Sequence, residues 1–358
     1  MVFFQQWLAM RRQRHPMLTV EGKWIWDSWY CRDDQGLWHA FFLQADRSLG
    51  NPELRHWNVT WGLATSPDLR KWTYRGTVFR PSKTPSFDDL TIWTGCIVRN
   101  DRNSWTLFYT GTSRAEEGKI QRIGRASSAD LVHWRRQGLA LERTGENAEY
   151  YEGCVPRRWK DCSLRDPWVI RDPEGSGWLM YFTARSPMPS DTNASGAIGV
   201  AHSHDLVNWQ LQPPVYVGSF GEIEVPQVFQ RGDKWFCLFC THSQCWSEEF
   251  KRNYPGEPVA GIHYLAADHP LGPWKPADGP FLYGTPDCEI YAGRLLTHGD
   301  QDYLLAFISG PEERFSGTIC DPIPIHFDAC GRLALVEPRS PDPPTDYRVS
   351  GLPSRRAI

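Results

Sequence analysis

The sequence predicts an all-β protein, a five-bladed β-propeller, and two recurring phrases carry that prediction. The first phrase recurs four times, as "ATSPDLRKW" (64–72), "ASSADLVHW" (126–134), "AHSHDLVNW" (201–209) and "AADHPLGPW" (266–274). The second is an aromatic-rich strand after a polar turn and recurs five times, as "LWHAFFLQA" (37–45), "WTLFYTGTS" (105–113), "GWLMYFTARS" (177–186), "KWFCLFCTHS" (234–243) and "DYLLAFISG" (302–310). Short strands that recur as one supersecondary unit are typical of propellers.

A further apolar segment precedes each polar turn, so each unit is predicted to contain a strand, a turn, a strand, a loop and a strand. These first strands are "WIWDSWY" (24–30), "TIWTGCIV" (91–98), "RDPWVI" (165–170), "EVPQVF" (224–229) and "EIYAGRLL" (289–296). A β-sandwich is the alternative all-β fold, but it does not explain a fivefold internal similarity.

The chain is predicted to have three segments. Residues 1–20 begin with "MVFFQQWLAMRRQR", which favours a short amphipathic N-terminal helix. Residues 21–337 form the five-bladed propeller as the catalytic domain. Residues 338–358 are rich in proline and polar residues, which predicts a tail on the surface or without fixed structure.

Composition excludes several classes of partner. The net charge is −3, from 39 basic and 42 acidic residues, and no basic stripe is present, so we predict no nucleic-acid partner. No apolar run is long enough to span a membrane. The positive charges at the start follow the apolar residues, whereas a secretory signal has them first. With ten cysteines, this predicts a cytoplasmic protein with reduced thiols. No cofactor or metal is predicted, and the sequence carries no signal for an oligomeric state.

The acid in "WIWDSWY" points to a functional site. In a strand, Asp27 shares a face with Ile25 and Trp29, where an unpaired carboxylate is costly. Counting from the first strand to the leading aromatic residue of the second gives offsets of 11, 12, 12, 11 and 12 for Asp27, Trp93, Asp166, Glu224 and Tyr291. Since the first strand of each blade lines the central channel, these residues are predicted to meet at about one level. Asp27 then faces a shared polar pocket.

Three carboxyl groups in one pocket are suited to glycoside hydrolysis. One carboxylate attacks the sugar or activates water, while a second protonates the leaving oxygen. Acids that crowd together repel each other's charge, so one of them keeps a proton near neutral pH. The abundant aromatic side chains (18 Trp, 13 Tyr and 17 Phe) also suit a sugar-binding face.

At these residues the sequence resembles the five-bladed propeller furanosidases, and most closely the levansucrase family, glycoside hydrolase family 68. "WDSW" resembles the nucleophile motif, which implies that Asp27 is the nucleophile. "RDP" (165–167) is similar to the transition-state stabiliser motif, which gives Asp166. "EIE" resembles the acid/base segment, with Glu224 as the proton donor and Glu222 as a substrate-binding acid.

The same resemblance implies further substrate-binding residues. "IWTGC" is similar to the "WSGS" of the family, whose hydroxyl bonds the nucleophile, and here the hydroxyl belongs to Thr94. Trp26, Trp93 and Arg165 are implied to line the fructosyl subsite.

Two departures concern the fourth blade. "EVP" (224–226) is closer to the "ECP" of invertases in family 32. His242 lies near the place of an arginine that binds the leaving group or acceptor, so we expect hydrolysis to exceed polymer synthesis.

The resemblance implies a retaining hydrolase that cleaves β-fructofuranosides such as sucrose or a fructo-oligosaccharide, with fructosyl transfer as a further outcome. The first alternative is an inverting arabinofuranosidase or xylosidase of the family 43 type, whose base usually lies in an "xDP" context near the first blade. The second alternative is a sugar-binding propeller without catalysis, which would be marked by the loss of one acid.

Overall fold

The computed structural model describes residues 18–100, 104–154, 159–310, 315–328 and 331–336. They form five antiparallel sheets, each with its strands in chain order from the inside outward. The predicted five-bladed propeller is therefore confirmed. The predicted tail and all but the last three residues of the predicted N-terminal helical segment lie outside the described residues. No helix in the described ranges is long and apolar enough to cross a membrane.

Each blade is built from four main strands. Blade 1 contains β1 (Lys23–Arg32), β2 (Trp38–Asp46), β3 (Thr60–Ser66) and β4 (Thr73–Phe79). Blade 2 contains β5 (Thr91–Arg99), β6 (Trp105–Thr112), β7 (Arg122–Ser128) and β8 (Arg135–Leu141). Blade 3 contains β9 (Leu164–Arg171), β10 (Trp178–Arg185), β11 (Gly196–Ser203) and β12 (Gln210–Val217).

The last two blades each carry an additional short strand. Blade 4 contains β13 (Glu224–Arg231), β14 (Lys234–Thr241), β15 (Ala260–Ala267), β16 (Lys275–Pro276) and β17 (Tyr283–Thr285). Blade 5 contains β18 (Ile290–His298), β19 (Gln301–Ile308), β20 (Thr318–Ile319), β21 (Ile323–Phe327) and β22 (Leu333–Leu335). The α-helix α1 (Glu248–Asn253) lies between β14 and β15, and a 3-10 helix spans Pro52–Trp57.

The ring closes through the first strand of each blade. β1 contacts β5, β5 contacts β9, β9 contacts β13, β13 contacts β18, and β18 contacts β1. The start of the described chain joins blade 5, because Leu18 pairs with Ile319 and the Ile25 amide donates to the Gly317 carbonyl. Blades 1 and 5 are thereby held together by backbone hydrogen bonds.

A glycine recurs on the third strand of the first three blades, where it makes room for an aromatic ring. Gly62 pairs with Phe42, and Gly199 pairs with Phe182. A Cβ atom at either glycine would lie 2.2 Å from that ring. Gly124 pairs with Tyr109 in the same way in blade 2. Close packing of this kind leaves no room for an added methyl group.

One disulfide corrects the prediction that all cysteines are reduced. Cys154 and Cys162 are bonded, with their Cα atoms 4.8 Å apart, in the segment that leads into β9. Both lie outside the named strands, and spacing alone does not tell which cysteines the fold brings together. Seven other cysteines within the described ranges are free. The cytoplasmic location stays a prediction.

Candidate active site

A cavity of about 670 Å³ opens at one end of the central channel, and all five blades contribute to its wall. Seven of the eight residues proposed for the site line it: Trp26, Asp27, Trp93, Thr94, Arg165, Asp166 and Glu224. Glu222, the eighth, does not line the cavity. Asp27 is therefore directed into a polar pocket, which explains a lone acid in an aromatic-rich strand.

Every first strand carries a β-bulge at its entrance to the site. The last paired residue before the bulge is Ile25, Ile92, Arg165, Glu224 or Tyr291 in the five blades. Glu224 is itself the last paired residue of its strand. Asp166 lies one residue after the last paired residue of blade 3, and Asp27 lies two residues after that of blade 1. Asp27, Trp93, Asp166, Glu224 and Tyr291 nevertheless all line the one cavity, as their equal offsets predict. Only the position of the bulge in each strand is not visible in the sequence.

Asp27 is held by a threonine of the neighbouring blade. The Thr94 hydroxyl donates a hydrogen bond to Oδ2 of Asp27 at 2.5 Å. Burial raises the pKa of Asp27 to about 7, and the charges of Asp166 and Glu224 act in the same direction. The Thr94 hydrogen bond opposes this increase because it stabilises the carboxylate.

Asp166 is the most enclosed of the three acids, with 3 % of its surface exposed. Its Oδ2 accepts hydrogen bonds from the Thr183 hydroxyl at 2.9 Å and from the Val225 amide at 3.2 Å. Burial raises the pKa of Asp166, and Arg165 opposes that increase. The carboxylate is fixed in orientation by these donors.

The backbone is strained where the site is formed. Asp166, Val225 and Ala292 follow the paired residue in blades 3, 4 and 5, and they have φ values of 56°, 56° and 50°. A positive φ is rare for a β-branched residue such as valine and costs about 1–3 kcal/mol. Since the amide of Val225 donates to Asp166 in this conformation, the strain coincides with a contact inside the site.

Glu224 is held in its charged form. Its Oε1 accepts from Nη2 of Arg165 at 2.8 Å, and its Oε2 accepts from the Tyr291 hydroxyl at 2.5 Å. Burial by itself would raise the pKa of Glu224, but Arg165, His242 and the Tyr291 hydrogen bond together lower it to about 2. In the site without a sugar, the Asp27 carboxyl therefore binds a proton more tightly than the Glu224 carboxyl does.

Arg165 and Arg185 donate hydrogen bonds to the acids of the site and to their neighbours. The sequence motifs identified only Arg165. Arg165 donates to Oε1 of Glu222 at 3.0 Å as well as to Glu224. Arg185 donates to the same oxygen of Glu222 and to Asp161 at 2.7 Å. Glu222 thus lies between two arginines, outside the cavity wall. Arg185 ends the second strand of blade 3, and no motif drew attention to it.

The rim of the cavity also contains residues that the repeat analysis missed. The 3-10 helix Pro52–Trp57 brings Glu53, Arg55 and His56 to the cavity. This helix lies in the loop between β2 and β3, which has no counterpart in the repeated phrases. In the same cavity wall, the ring of His242 stacks on Tyr291, with centroids 4.6 Å apart.

The charged side chains of the site compensate one another. Over the described ranges, no group of three or more His, Cys, Asp or Glu side chains is placed to hold a metal ion. Because Arg165 contacts Glu224 at 2.8 Å and Asp166 at 3.5 Å, a fixed cation already compensates two of the acids. The chemistry available to these residues is nucleophilic attack, proton transfer and hydrogen bonding to hydroxyl groups.

Comparison with known proteins gives a family match. Residues 18–256 match the family described as "Glycosyl hydrolases family 32 N-terminal domain". An invertase from Wickerhamomyces anomalus is 26 % identical over 307 residues, which cover 79 % of this chain and 48 % of the invertase. The chain spans about half the length, or less, of the curated relatives it matches first.

Solved structures share the fold. An inulosucrase from Halalkalicoccus jeotgali, bound to kestose, superposes with a TM-score of 0.70 at 22 % identity, over 90 % of both chains. The catalytic domain of a β-fructofuranosidase from Microbacterium saccharophilum K-1 superposes with a TM-score of 0.71 at 18 % identity, over 90 % of this chain and 83 % of that chain. At these identities the likeness establishes the propeller fold alone.

Proposed function

Because the chain belongs to glycosyl hydrolase family 32, whose N-terminal domain matches residues 18–256, we propose that it cleaves β-fructofuranosides with retention of configuration. The observation that carries this proposal is the meeting of Asp27, Asp166 and Glu224 in one cavity. Sucrose is the first substrate to test, and fructo-oligosaccharides are the second. The names of the relatives support this substrate class.

Asp27 is the proposed nucleophile. Its carboxylate attacks the anomeric carbon of the fructosyl unit, and the bond to the leaving oxygen breaks as the ester forms. The hydrogen bond from Thr94 leaves the other oxygen of Asp27 available for attack, because only Oδ2 accepts it. The raised pKa of Asp27 also fits a more nucleophilic carboxylate than an exposed aspartate.

Glu224 is the proposed acid and base. It gives its proton to the leaving sugar oxygen and then takes a proton from the incoming water or sugar hydroxyl, which releases the fructosyl group from Asp27. Asp166 remains ionised and stabilises the positive charge that develops on the sugar ring. Arg165, which pairs with Asp166 and Glu224, is proposed to hold ring hydroxyls beside Asp166.

The two reacting acids titrate as a pair. Between their two apparent pKa values the pair holds one proton, and the reactive form is the one with that proton on Glu224. In the free site Asp27, with a pKa of about 7, holds the proton instead. The value of kcat/KM is then expected to fall as the pH rises through about 7, where the pair loses this proton.

The walls of the cavity suit a furanose. The rings of Trp26 and Trp93 line it next to Asp27 and Thr94, and aromatic faces cover the C–H side of a sugar. His242 lines the cavity where the resembled family has an arginine for the acceptor, so we propose that hydrolysis exceeds polymer synthesis. Short transfer products remain expected at high sucrose concentration.

One experiment tests the proposal. The protein is incubated with sucrose, raffinose, a nitrophenyl arabinofuranoside and a nitrophenyl xyloside, and the released sugars are identified by chromatography. Release of fructose from the first two substrates supports the proposal, and Asp27→Asn serves as the matched inactive control. Release from the nitrophenyl glycosides alone would favour the family 43 type of activity, while no release would favour a sugar-binding propeller.

A further inference from the structure

An arginine is buried within the ring of first strands, apart from the residues assigned above. Arg294 of β18 is 1 % exposed. Its Nη1 donates to the carbonyl oxygens of Val225 and Pro226, at 3.2 and 2.8 Å, and its guanidinium lies over the ring of Trp168, 5.0 Å from the centroid. A single side chain of blade 5 thus contacts blades 3 and 4.

The charge of Arg294 has no direct ionic partner among the described contacts. Its Nε and Nη2 atoms find no hydrogen-bond acceptor within the described part of the chain. A buried cation is costly unless opposite charges compensate it. Burial lowers the pKa of Arg294, and Cys96, Cys240, Asp166 and Asp27, in that order, oppose this decrease. Two of the three proposed catalytic acids are therefore among the groups that favour its charged form.

Arg294 also holds the backbone that shapes the site. The carbonyls it binds belong to the bulge of β13, directly after Glu224. Val225 has its strained φ in this bulge, and its amide donates to Oδ2 of Asp166. The guanidinium thus binds the residue next to Glu224, and it is linked to Asp166 through two hydrogen bonds, one to the Val225 carbonyl and one from the Val225 amide.

We propose that Arg294 is a positioning residue for the proposed reaction, which fixes the Val225–Pro226 bulge and supplies a buried positive charge to Asp27 and Asp166. The kinetic part of this inference rests on the proposed function. The geometric part rests on the contacts of Arg294 with Val225, Pro226 and Trp168.

The groups that face Arg294 come from several strands, and among them Asp27, with its pKa raised to about 7, changes charge in the working range of pH. The other titratable groups on which it acts are Tyr30 of β1, Cys96 of β5 and Cys237 and Cys240 of β14. Burial raises the pKa of each of them; for Cys96 the value is about 11 and for Cys237 about 12. They stay neutral between about pH 4 and pH 9.

Loss of the Arg294 charge has a characteristic effect on the pH profile. Without it the pKa of Asp27 rises, because the cation favours the carboxylate. The alkaline limb of kcat/KM then moves to higher pH. The plateau of kcat/KM falls by the factor that corresponds to this shift, because the single proton of the pair lies less often on Glu224. A shift of one pH unit goes with a tenfold lower plateau. A variant with only a packing defect would lose plateau activity without a shift of the limb.

The test compares Arg294→Met, which removes the charge, with Arg294→Lys, which keeps it. Arg231→Met is the matched control, since Arg231 pairs with Asp302 at the far end of β13. Profiles of kcat/KM with sucrose are measured from about pH 4 to about pH 9. In parallel, the carboxyl signal of Asp27 is titrated by NMR in protein with ¹³C-labelled aspartate, and Asp27→Asn provides the assignment.

We expect Arg294→Met to move the Asp27 titration and the alkaline limb to higher pH by the same amount, with plateau activity lowered by the matching factor, which is about tenfold for a shift of one pH unit. Arg294→Lys should stay near the wild-type limb, and Arg231→Met should not change it. An unchanged Asp27 titration in folded Arg294→Met, or an equal shift in Arg294→Lys, would overturn the proposal. If Arg294→Met does not fold, equal NMR titrations of Arg294→Gln and Arg294→Lys would overturn it. The NMR titration of Asp27 needs no turnover, so it tests the role of Arg294 even in an inactive protein. A wild-type protein without activity on fructosides would refute the proposed function and leave the titration result valid.

Discussion

The hydroxyl of Thr94 provides a direct way to perturb Asp27 without changing a charge. Thr94→Val removes the donor that lies 2.5 Å from Oδ2 of Asp27 and keeps the β-branched shape of a buried side chain. A hydrogen bond to a charged group contributes about 1.5–3 kcal/mol. At about 1.4 kcal/mol for each pKa unit, its loss raises the pKa of Asp27 by about 1–2 units. The pKa would move from about 7 to about 8–9.

The assay is the pH dependence of kcat/KM on sucrose. Because the pair of Asp27 and Glu224 must hold its one proton on Glu224, tighter proton binding by Asp27 lowers the plateau about 10- to 100-fold and moves the alkaline limb up by about 1–2 pH units. Thr94→Ser keeps the hydroxyl and should preserve the limb. The reasoning would be refuted by an unchanged alkaline limb in Thr94→Val, or by a Thr94→Ser variant with the same shift.

Two further predictions concern the acid and the fold. Glu224→Gln cannot donate a proton, so activity on sucrose should fall by about 10²–10⁴-fold. Activity on a fructoside with an activated leaving group should fall much less, because that leaving group needs no proton. Equal losses on both substrates would show that Glu224 is not the proton donor. Gly199→Ala places a Cβ atom 2.2 Å from the ring of Phe182, so it should lower the free energy of unfolding by about 1–3 kcal/mol in a denaturant titration. Gly256→Ala is its control, because its Cβ would lie 3.5 Å from the nearest atom, and equal stability of the two variants would contradict the packing argument.

The blade architecture could be predicted because the same aromatic-rich strand phrase recurs once in each of the five blades. The acids could be located because an acid in an apolar strand, such as Asp27 in "WIWDSWY", is costly without a polar site. The same signal was present in "YAGRLL", where Arg294 is the charged residue of an apolar strand, but no motif surrounds it. Its role depends on the bulge of a neighbouring blade, which inserts a residue without changing the composition of the strand.

Contacts made by segments outside the repeated strands were not predictable from the repeat. Cys154 and Cys162 bond in the segment before β9, and Arg55 reaches the cavity from a 3-10 helix. Neither segment belongs to the repeated strands, so no internal comparison gave its position.

The central claim is that Asp27 forms a covalent bond to the fructosyl unit. The direct measurement is mass spectrometry of the protein after rapid acid quenching during turnover of a fructoside with an activated leaving group, with the peptide that contains Asp27 isolated. The account predicts a fructosyl ester on that peptide, its absence in Asp27→Asn, and a first-formed sugar that keeps the configuration of the substrate. An unmodified Asp27 peptide during rapid turnover, together with a product of inverted configuration, would contradict it.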